Sequence, residues 1–266
     1  MDKQFKVYLS ESFDPRFNLS VEEWLMKSSS PNELILFLWQ NENTIVIGRN
    51  QNPYKECNII KLKGDGTRLI RRLSGGGAVY HDLGNLNFTF IAGDENYDVE
   101  RNMKVILDAI SKFGIHGYFS GRNDLMVQER KFSGNAFISD NGMNCHHGTL
   151  LVDVDLDKLS RYLTVSHLKL ESKGIDSVSS RVINLKEISP QITTEGLKDA
   201  LITSFNELYK TESQIITLNE KAIDLTTYLE KYHSWEWNYS ESPDFSIVIE
   251  EKFDWGIFEI HLEFSD

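Results

Sequence analysis

Three consecutive glycines preceded by two arginines constrain this chain more than any other segment. Residues 71–85 read RRLSGGGAVYHDLGN. Three adjacent glycines weaken a helix or a strand through backbone entropy, so the segment predicts a loop that needs exposed backbone or a positive φ. Backbone N–H groups and the guanidinium groups of Arg71 and Arg72 can converge on one anion in such a loop. The segment therefore predicts a site for a phosphate or a carboxylate.

The charge of the chain is unevenly distributed. Its formal net charge is −12, which argues against a nucleic-acid partner. Between positions 49 and 72, however, seven basic residues face two acidic ones, Glu56 and Asp65; the basic set is Arg49, Lys55, Lys61, Lys63, Arg68, Arg71 and Arg72. Such a basic island in an acidic protein favours a small anionic substrate held in a cleft, and a solvated basic surface is the alternative.

The bulk features favour a cytoplasmic protein over a membrane or secreted one. Its 266 residues suffice for one large domain or one domain with a small appendage. The longest apolar run, 34–39, is too short to span a bilayer, and no membrane partner is expected. Two cysteines, Cys57 and Cys145, without metal-type spacing favour a reducing compartment.

Hydrophobic patterning predicts interleaved helices and strands. Ser20 and Glu23 suggest a capping box that opens a helix over 21–27, and an amphipathic helix is predicted over 99–113 with Gly114 after it. Further helices are predicted at 156–163 and 194–209, and strands at 34–40, 44–48, 124–128, 131–139 and 149–154. The strands and helices keep no strict βαβ rhythm, so we expect an α/β fold with a mixed β-sheet packed with helices.

The C-terminal residues 256–264 alternate apolar and polar side chains, as in a half-buried strand. Such a strand needs a partner surface. Either it docks on earlier residues, or a further domain is missing after it.

Four segments in order carry a family resemblance. The glycine loop matches neither the Walker loop nor the dinucleotide fingerprint. Together with three other segments, the glycine loop resembles the lipoate–protein ligase A family. These segments are GRNQNPYKECN (48–58), NDLMVQERKFSGNAF (123–137), and HHGTLLVDVDLDKLSRYL (146–163) followed by KGIDSVSSRVINL (173–185). SWEWNY at 234–239 is similar to that family's domain junction.

The resemblance implies a biotin/lipoyl-ligase catalytic domain, similar to class II aminoacyl-tRNA synthetases. It implies a catalytic domain over 1–240, and a linker with the start of a truncated accessory domain over 241–266. It also implies ATP, Mg²⁺ and lipoate: lipoate attacks the α-phosphate to give lipoyl-AMP and pyrophosphate, and an acceptor lysine then displaces AMP. The implied acceptors are the lipoyl domains of 2-oxoacid dehydrogenase complexes and the glycine-cleavage H protein.

Matching the family motifs assigns site residues. Lys131 is the predicted catalytic residue, which neutralises the α-phosphate and the lipoyl carboxylate together. ATP or adenylate binding falls to Arg72, Gly77, Ala78, Val79, Tyr80, Asn123, Asp124 and Lys131. Lipoate binding falls to Arg72, Ser74, Gly75, Gly76, Gly77, His81, Lys131, Ser133, Gly134, His147, Gly148 and Thr149. Asp124 is the predicted Mg²⁺ ligand, with a turn cap as the alternative. Residues 173–184 match a segment that closes over the adenylate.

Several alternatives stay open. His81 and His147 either line the acyl pocket, assist deprotonation of the acceptor lysine, or are ordinary core histidines. Octanoyl- and lipoyl-transferases of this fold use a cysteine thioester, and the stretches where they keep that cysteine hold none here; Cys145 beside two histidines is the remaining candidate. Biotin ligases carry a GRGRxGRxW-type loop, which this sequence lacks. Two alternatives to a complete ligase remain. The protein is either the transferase half of a bipartite ligase, which uses lipoyl-AMP and needs a separate accessory chain, or a lipoyl-binding subunit without activity.

Overall fold

An eight-stranded mixed sheet organises the protein. The structure, a computed structural model, describes residues 3–120, 123–163, 181–242, 245–253 and 256–264. The strand order is β11-β1-β2-β6-β10-β9-β8-β7, where β1 pairs in parallel with β2 and β11 and the other neighbours are antiparallel. The strands are β1 (Gln4–Ser10), β2 (Glu33–Trp39), β6 (Asn85–Gly93), β7 (Tyr118–Ser120), β8 (Asp124–Val127), β9 (Arg130–Asp140), β10 (Met143–Leu151) and β11 (Gln214–Leu218). The mixed α/β architecture predicted from the sequence is confirmed.

Helices cover both faces of this sheet because its central strands are apolar on both sides. Every residue of β6 is buried, and six of the seven residues of β2 are buried. On one face α4 (Val99–Ser111) and α7 (Thr194–Tyr209) pack against Phe88 and Phe90. On the other face α1 (Pro15–Ser28) packs against Ile91 and Cys145. Adjacent residues of one strand thus face opposite cores.

A smaller three-stranded sheet stands beside the large one. Its order is β4-β3-β5, formed by β3 (Thr44–Ile47), β4 (Arg68–Arg71) and β5 (Val79–His81). Short helices α2 (Pro53–Glu56), α3 (Ile59–Gly64), α5 (Leu156–Tyr162) and α6 (Leu185–Ile188) lie in the connections, and α8 (Thr226–His233) runs into a π-helical turn at Glu236–Ser240. The glycine segment connects β4 to β5 and so lies at the end of the small sheet.

The first helix begins earlier than the sequence predicted. Asp14 is its N-cap and accepts a hydrogen bond from the backbone N–H of Arg16, and Pro15 occupies the first turn. The predicted capping box is therefore wrong: Ser20 and Glu23 lie inside α1, both buried, and Glu23 binds Lys27 and Lys231 instead.

The helix predicted at 99–113 ends close to its predicted bound. Its last regular residue is Ser111, and Gly114 follows with a φ of 74°. The N–H of Ile115 then reaches back to the carbonyl of Ile110, which closes the end of the helix as the glycine signal predicted.

The C-terminal strand pairs with a strand that the sequence analysis did not single out. β13 (Gly256–Phe264) and β12 (Phe245–Phe253) form an antiparallel two-stranded sheet with Phe245 opposite Phe264. In the described residues neither strand joins the two larger sheets. The strand therefore pairs with the residues that directly precede it in the chain, the first of the two alternatives given by the sequence.

Candidate active site

A cavity opens where the glycine segment of the small sheet meets the polar ends of β8, β9 and β10. Its volume is about 240 Å³. Apolar side chains from four elements form one part of its wall: Leu19, Trp39, Val46 and Ala136. Polar groups of the glycine segment and of β8 to β10 form the rest. A cavity wall that combines apolar and polar groups suits a ligand with both kinds of surface.

Close packing or a positive φ requires glycine at three positions of this site, Gly48, Gly76 and Gly148. Gly76 has a φ of 94°, and a Cβ on Gly48 would lie 2.2 Å from the carbonyl oxygen of Gly76. A Cβ on Gly148 would lie 2.5 Å from the ring of Phe88. Larger residues would therefore push the glycine segment or β10 out of position.

The guanidinium of Arg72 holds the glycine segment by hydrogen bonds to its backbone carbonyls. Its Nη2 donates to the carbonyls of Gly75 (2.7 Å) and Gly77 (2.9 Å), its Nη1 to the carbonyl of Val46 (3.3 Å), and its Nε to the Ser74 hydroxyl (3.1 Å). Burial lowers the pKa of Arg72 to about 10, so the guanidinium remains a cation at neutral pH. Most of its N–H groups thus serve the protein, and only one on Nη1 is left for a ligand.

The carbonyl contacts of Arg72 turn two backbone N–H groups of the cavity wall away from its guanidinium. In a planar trans peptide the C=O and the following N–H point in opposite directions. Carbonyls of Gly75 and Gly77 that face Arg72 therefore direct the N–H groups of Gly76 and Ala78 away from it. Within the described part of the chain, neither N–H has a hydrogen-bond acceptor, and both residues line the cavity. Two unpaired N–H groups beside a buried cation form an anion-binding concavity.

A chain of hydrogen bonds between buried polar groups runs from Trp39, which lines the cavity, to Arg72. The indole N–H of Trp39 donates to the Thr89 hydroxyl (3.0 Å), which donates to Glu22 (2.6 Å). Both oxygens of Glu22 lie 2.9 Å from Nδ1 of His147, and Nε2 of His147 lies 2.6 Å from the Ser74 hydroxyl. Both His147 nitrogens are therefore occupied, which leaves none to deprotonate an acceptor amine.

The cavity wall also carries a cation and a carboxylate, Lys131 and Asp124. Nζ of Lys131 in β9 forms an ion pair with Asp124 of β8 at 2.7 Å, and both side chains are partly exposed. A Cβ on Gly134 would lie 2.9 Å from Nζ of Lys131, so a glycine there leaves room for the ammonium group. The pair faces the glycine segment, because both elements line the same cavity.

The structure brings most of the predicted site residues together. The cavity is lined by Arg72, Gly76, Gly77, Ala78, Val79, His81, Asn123, Asp124, Lys131, Gly134, His147, Gly148 and Thr149. Ser74, Gly75 and Ser133 lie next to it without lining it. Of the predicted closing segment 173–184, residues 173–180 lie outside the described residues, and Ile183 bonds the carbonyl of Lys131 at 2.9 Å.

The side chain of Tyr80 lies in the core of the small sheet. It is 1% exposed and packs against Tyr162, with ring centroids 5.6 Å apart. Its hydroxyl donates to Asn43. Since side chains alternate across β5, Val79 and His81 face the cavity and the Tyr80 side chain faces away, so a nucleotide contact of Tyr80 stays a prediction that only its backbone could meet.

Two of the alternatives for the buried residues can be weighed. Cys145 is 1% exposed and does not line the cavity, and burial raises the pKa of its thiol well above the usual value, which disfavours a thiolate nucleophile. Ligand atoms of Cys145, Glu22 and His147 lie within 4.8 Å of one another, a spacing compatible with a metal ion. Hydrogen bonds from His147 and Thr89 already occupy the Glu22 oxygens, however.

Sequence reasoning missed several residues that shape the cavity: Leu19, Glu22, Trp39, Val46, Asn87, Asn135 and Ala136. A signal existed for Glu22, which falls on the face of α1 that carries Asn18 and Met26, four residues away on either side. A carboxylate on the buried face of a helix needs a partner, so its position alone pointed to a buried polar network.

Comparison with known protein families gives a consistent result. Residues 14–206 match the family described as lipoyl protein ligase A/B catalytic domain. The chain is 43% identical to a lipoate-protein ligase A of Bdellovibrio bacteriovorus over 272 aligned residues, covering 99% of this chain and 80% of the relative. It is 44% identical to a lipoate-protein ligase A of Blochmanniella floridana, covering 98% of this chain and 80% of the relative.

Solved structures agree with this assignment. P. falciparum LipL1 in complex with lipoate superposes with a TM-score of 0.79 at 34% identity, covering 98% of this chain and 82% of that one. A bipartite lipoate protein ligase of Thermoplasma acidophilum, described with its E2 lipoyl domain, gives 0.76 at 27% identity, covering 90% and 96%. A lipoate-protein ligase A bound with ATP gives 0.76 at 25% identity, covering 90% and 98%.

Proposed function

We propose that this chain, which belongs to the lipoyl protein ligase A/B catalytic-domain family, uses ATP to activate lipoate as lipoyl-AMP. It then transfers the lipoyl group to a lysine of an acceptor domain. The observation that carries this proposal is one cavity whose wall combines apolar side chains, unpaired backbone N–H groups and a lysine–aspartate pair. Related structures hold lipoate in one case and ATP in another.

The apolar wall accommodates the acyl part of the substrate. Leu19, Trp39, Val46 and Ala136 supply a surface for the alkyl chain and the dithiolane ring, and the carboxylate then points toward Lys131. Predicted lipoate contacts from His81, Gly148 and Thr149 fit this placement, since all three line the cavity. Burial lowers the pKa of His81 to about 3, so this side chain stays neutral beside the acyl chain.

The N–H cradle accommodates the phosphates. Gly76 and Ala78 donate to phosphate oxygens without charge of their own, and Arg72 behind them supplies the positive field. We therefore assign Arg72 mainly to shaping the loop and assign the direct phosphate contacts to the backbone.

Lys131 stands where the two anions must meet. In the first step a lipoate carboxylate oxygen bonds the α-phosphorus while the bond to the pyrophosphate oxygen breaks. The Lys131 ammonium offsets the repulsion between carboxylate and phosphate. In the second step the acceptor amine attacks the acyl carbon, the bond to AMP breaks, and the same ammonium stabilises the developing oxyanion.

Asp124 fits a magnesium ion delivered with ATP. Mg²⁺ takes hard oxygen ligands and is held by one or two carboxylates together with substrate phosphates, and Asp124 supplies one carboxylate at the polar end. The backbone carbonyl of Asn123 already accepts two hydrogen bonds from Asn135, so it is a poorer oxygen ligand for the ion than the Asp124 carboxylate. Bound there, the ion would neutralise phosphate charge.

The acceptors remain those that the family resemblance implies, the lipoyl domains of 2-oxoacid dehydrogenase complexes and the glycine-cleavage H protein. We also propose that residues 1–240 form the catalytic unit, since the β12–β13 hairpin pairs with itself. No helix in the described part of the chain has the length and apolar character to cross a bilayer. Free, buried Cys57 and Cys145 support placing the reaction in the cytoplasm.

A second candidate function follows from the bipartite T. acidophilum ligase, which this chain resembles over 96% of that structure. In this reading the chain transfers lipoyl from lipoyl-AMP and needs an accessory polypeptide for the activation step.

Replacing the proposed catalytic lysine tests the mechanism. Lys131→Ala should lower lipoate-dependent pyrophosphate release by about 10²–10⁴-fold, because a charge that acts on the transition state is lost. The matched control is Lys104→Ala, which breaks another lysine–aspartate pair, with Asp108 at 2.9 Å on α4, away from the cavity. Full activity of Lys131→Ala, or an equal loss in Lys104→Ala, would contradict the assignment.

A further inference from the structure

We propose that Glu22, His147 and Ser74 are positioning residues for the nucleotide half of the reaction. They form a buried chain of hydrogen bonds that fixes the Arg72 guanidinium and, through it, the glycine carbonyls that orient the N–H cradle. The inference rests on the proposed function, because it assumes that the cradle receives the phosphates of ATP.

The two ends of this hydrogen-bond chain have a fixed direction. Arginine only donates hydrogen bonds and an ionised carboxylate only accepts them. Arg72 Nε therefore donates to the Ser74 hydroxyl at 3.1 Å, and Nδ1 of His147 donates to the Glu22 carboxylate at 2.9 Å. Between them, the Ser74 hydroxyl and Nε2 of His147 share a hydrogen bond at 2.6 Å, and the Ser74 hydroxyl also lies 3.4 Å from the carbonyl oxygen of Gly75.

The chain also joins two buried charges that do not touch. Arg72 is 6% exposed and Glu22 is 3% exposed. Among the described residues every hydrogen-bond acceptor of Arg72 is a carbonyl or the Ser74 hydroxyl, so no carboxylate contacts it directly. A buried cation is tolerated when an anion compensates it, and Glu22 does so through two polarisable groups.

The consequence reaches the substrate through the glycine segment. Nη2 of Arg72 holds the carbonyls of Gly75 and Gly77 at 2.7 and 2.9 Å. If the hydrogen-bond chain is cut at Ser74, Nε keeps only the carbonyl of Gly75 at 3.2 Å, and the guanidinium is held by backbone carbonyls alone. Any shift of the guanidinium then turns the two peptide planes that it holds, and with them the N–H groups of Gly76 and Ala78.

The same three residues also resemble the serine, histidine and carboxylate of a hydrolase. Ser74 is 1% exposed and does not line the cavity, and its oxygen accepts the Arg72 N–H. A nucleophile must reach its substrate, so the geometry favours a positioning role over a catalytic one.

A double-mutant cycle on Glu22→Gln and Ser74→Ala tests the chain. Each single variant should raise the KM for ATP by about tenfold, the typical effect of losing a hydrogen bond to a charged group. The double variant should be no worse than the poorer single variant, because both cut the same chain. Ser204→Ala is the matched control, since Ser204 is equally buried but lies on α7; it should leave both KM values unchanged.

The hydrogen bond between His147 and Glu22 gives a readout that does not depend on activity. ¹⁵N NMR of the wild-type protein should show one histidine whose Nδ1 carries a hydrogen-bonded proton; this signal should shift in Glu22→Gln and disappear in His147→Gln. Thermal melting of every variant shows whether it folds.

The outcomes separate this inference from the proposed function. Wild-type protein without lipoate-dependent pyrophosphate release refutes the proposed function, whereas the NMR result still tests the chain. If the wild type is active, two results would overturn the positioning role. One is a KM for ATP that rises about a hundredfold in the double variant, the product of the two single effects; the other is a rise in the KM for lipoate alone. A His147 whose Nδ1 carries no proton overturns the hydrogen bond to Glu22 on which the chain depends.

Discussion

At the scale of single residues, burial decides which groups carry charge. His81 and His146 both sit among buried side chains, and burial lowers the pKa of each to about 3; Arg72 and His147 add to the effect at His81, and His147 adds to it at His146. Both rings are therefore neutral over the physiological range. They serve as polar spacers, and the only ammonium group that lines the cavity in the described residues belongs to Lys131.

These histidines predict a pH dependence of stability. An unfolded histidine takes up a proton near pH 6.5, but the folded one does so only near pH 3. The unfolded state thus binds more protons in this window, and stability present above pH 6.5 is lost as the pH falls toward 3, by about 1.4 kcal/mol per pH unit for each ring.

His146→Gln isolates one of these contributions, since glutamine can still donate to Asn135 as His146 does at 2.9 Å. Urea unfolding between pH 7 and 4.5 should show a shallower loss of stability in this variant than in the wild type. The exposed His116→Gln serves as control and should follow the wild type. Parallel curves for His146→Gln and wild type would contradict the assigned burial effect.

At the scale of elements, two tight hairpins place the polar end of the site. Asn141 and Gly142 connect β9 to β10 with φ of 49° and 79°, the residue pair that a two-residue hairpin turn prefers. Gln128 and Glu129 connect β8 to β9 with φ of 49° and 60°, although neither residue favours the left-handed region. Strain is therefore stored two residues before Lys131.

Glu129→Gly should stabilise the protein by about 1 kcal/mol, because glycine adopts positive φ without steric cost. The lost hydrogen bond from Tyr118 to Glu129 is exposed and offsets little of this gain. Chemical unfolding measures the change, and Gly142→Ala is the opposite control, which should destabilise the protein. A lower stability of Glu129→Gly would show that the turn is not strained.

At the scale of the whole molecule, the charge pattern was only partly informative. The basic island suggested an anion-focusing surface, yet Arg71 is fully buried and binds carbonyls, Arg68 pairs with Glu42, and Arg49 pairs with Glu241. The island is largely a scaffold that fixes the small sheet around the glycine segment. Composition showed an excess of cations but not what they bind.

The fold class and the location of the site were predictable from the sequence for physical reasons. Apolar runs such as β2 and the amphipathic α4 report burial directly, and the triple glycine reports a need for bare backbone. The role of Arg72 and the direction of Tyr80 were not predictable, because both depend on which strand face meets the cavity. Glu22 was missed because its partner His147 lies 125 residues away along the chain.

The proposed function requires one cavity to perform both activation and transfer. The most direct test supplies the purified chain with a lipoyl acceptor domain and either lipoate, ATP and Mg²⁺ or synthetic lipoyl-AMP, and follows pyrophosphate release and the mass of the acceptor. We expect modification from both sources, with pyrophosphate released only from the first. Modification from lipoyl-AMP alone would show that activation needs a second polypeptide, and no modification from either source would contradict the account.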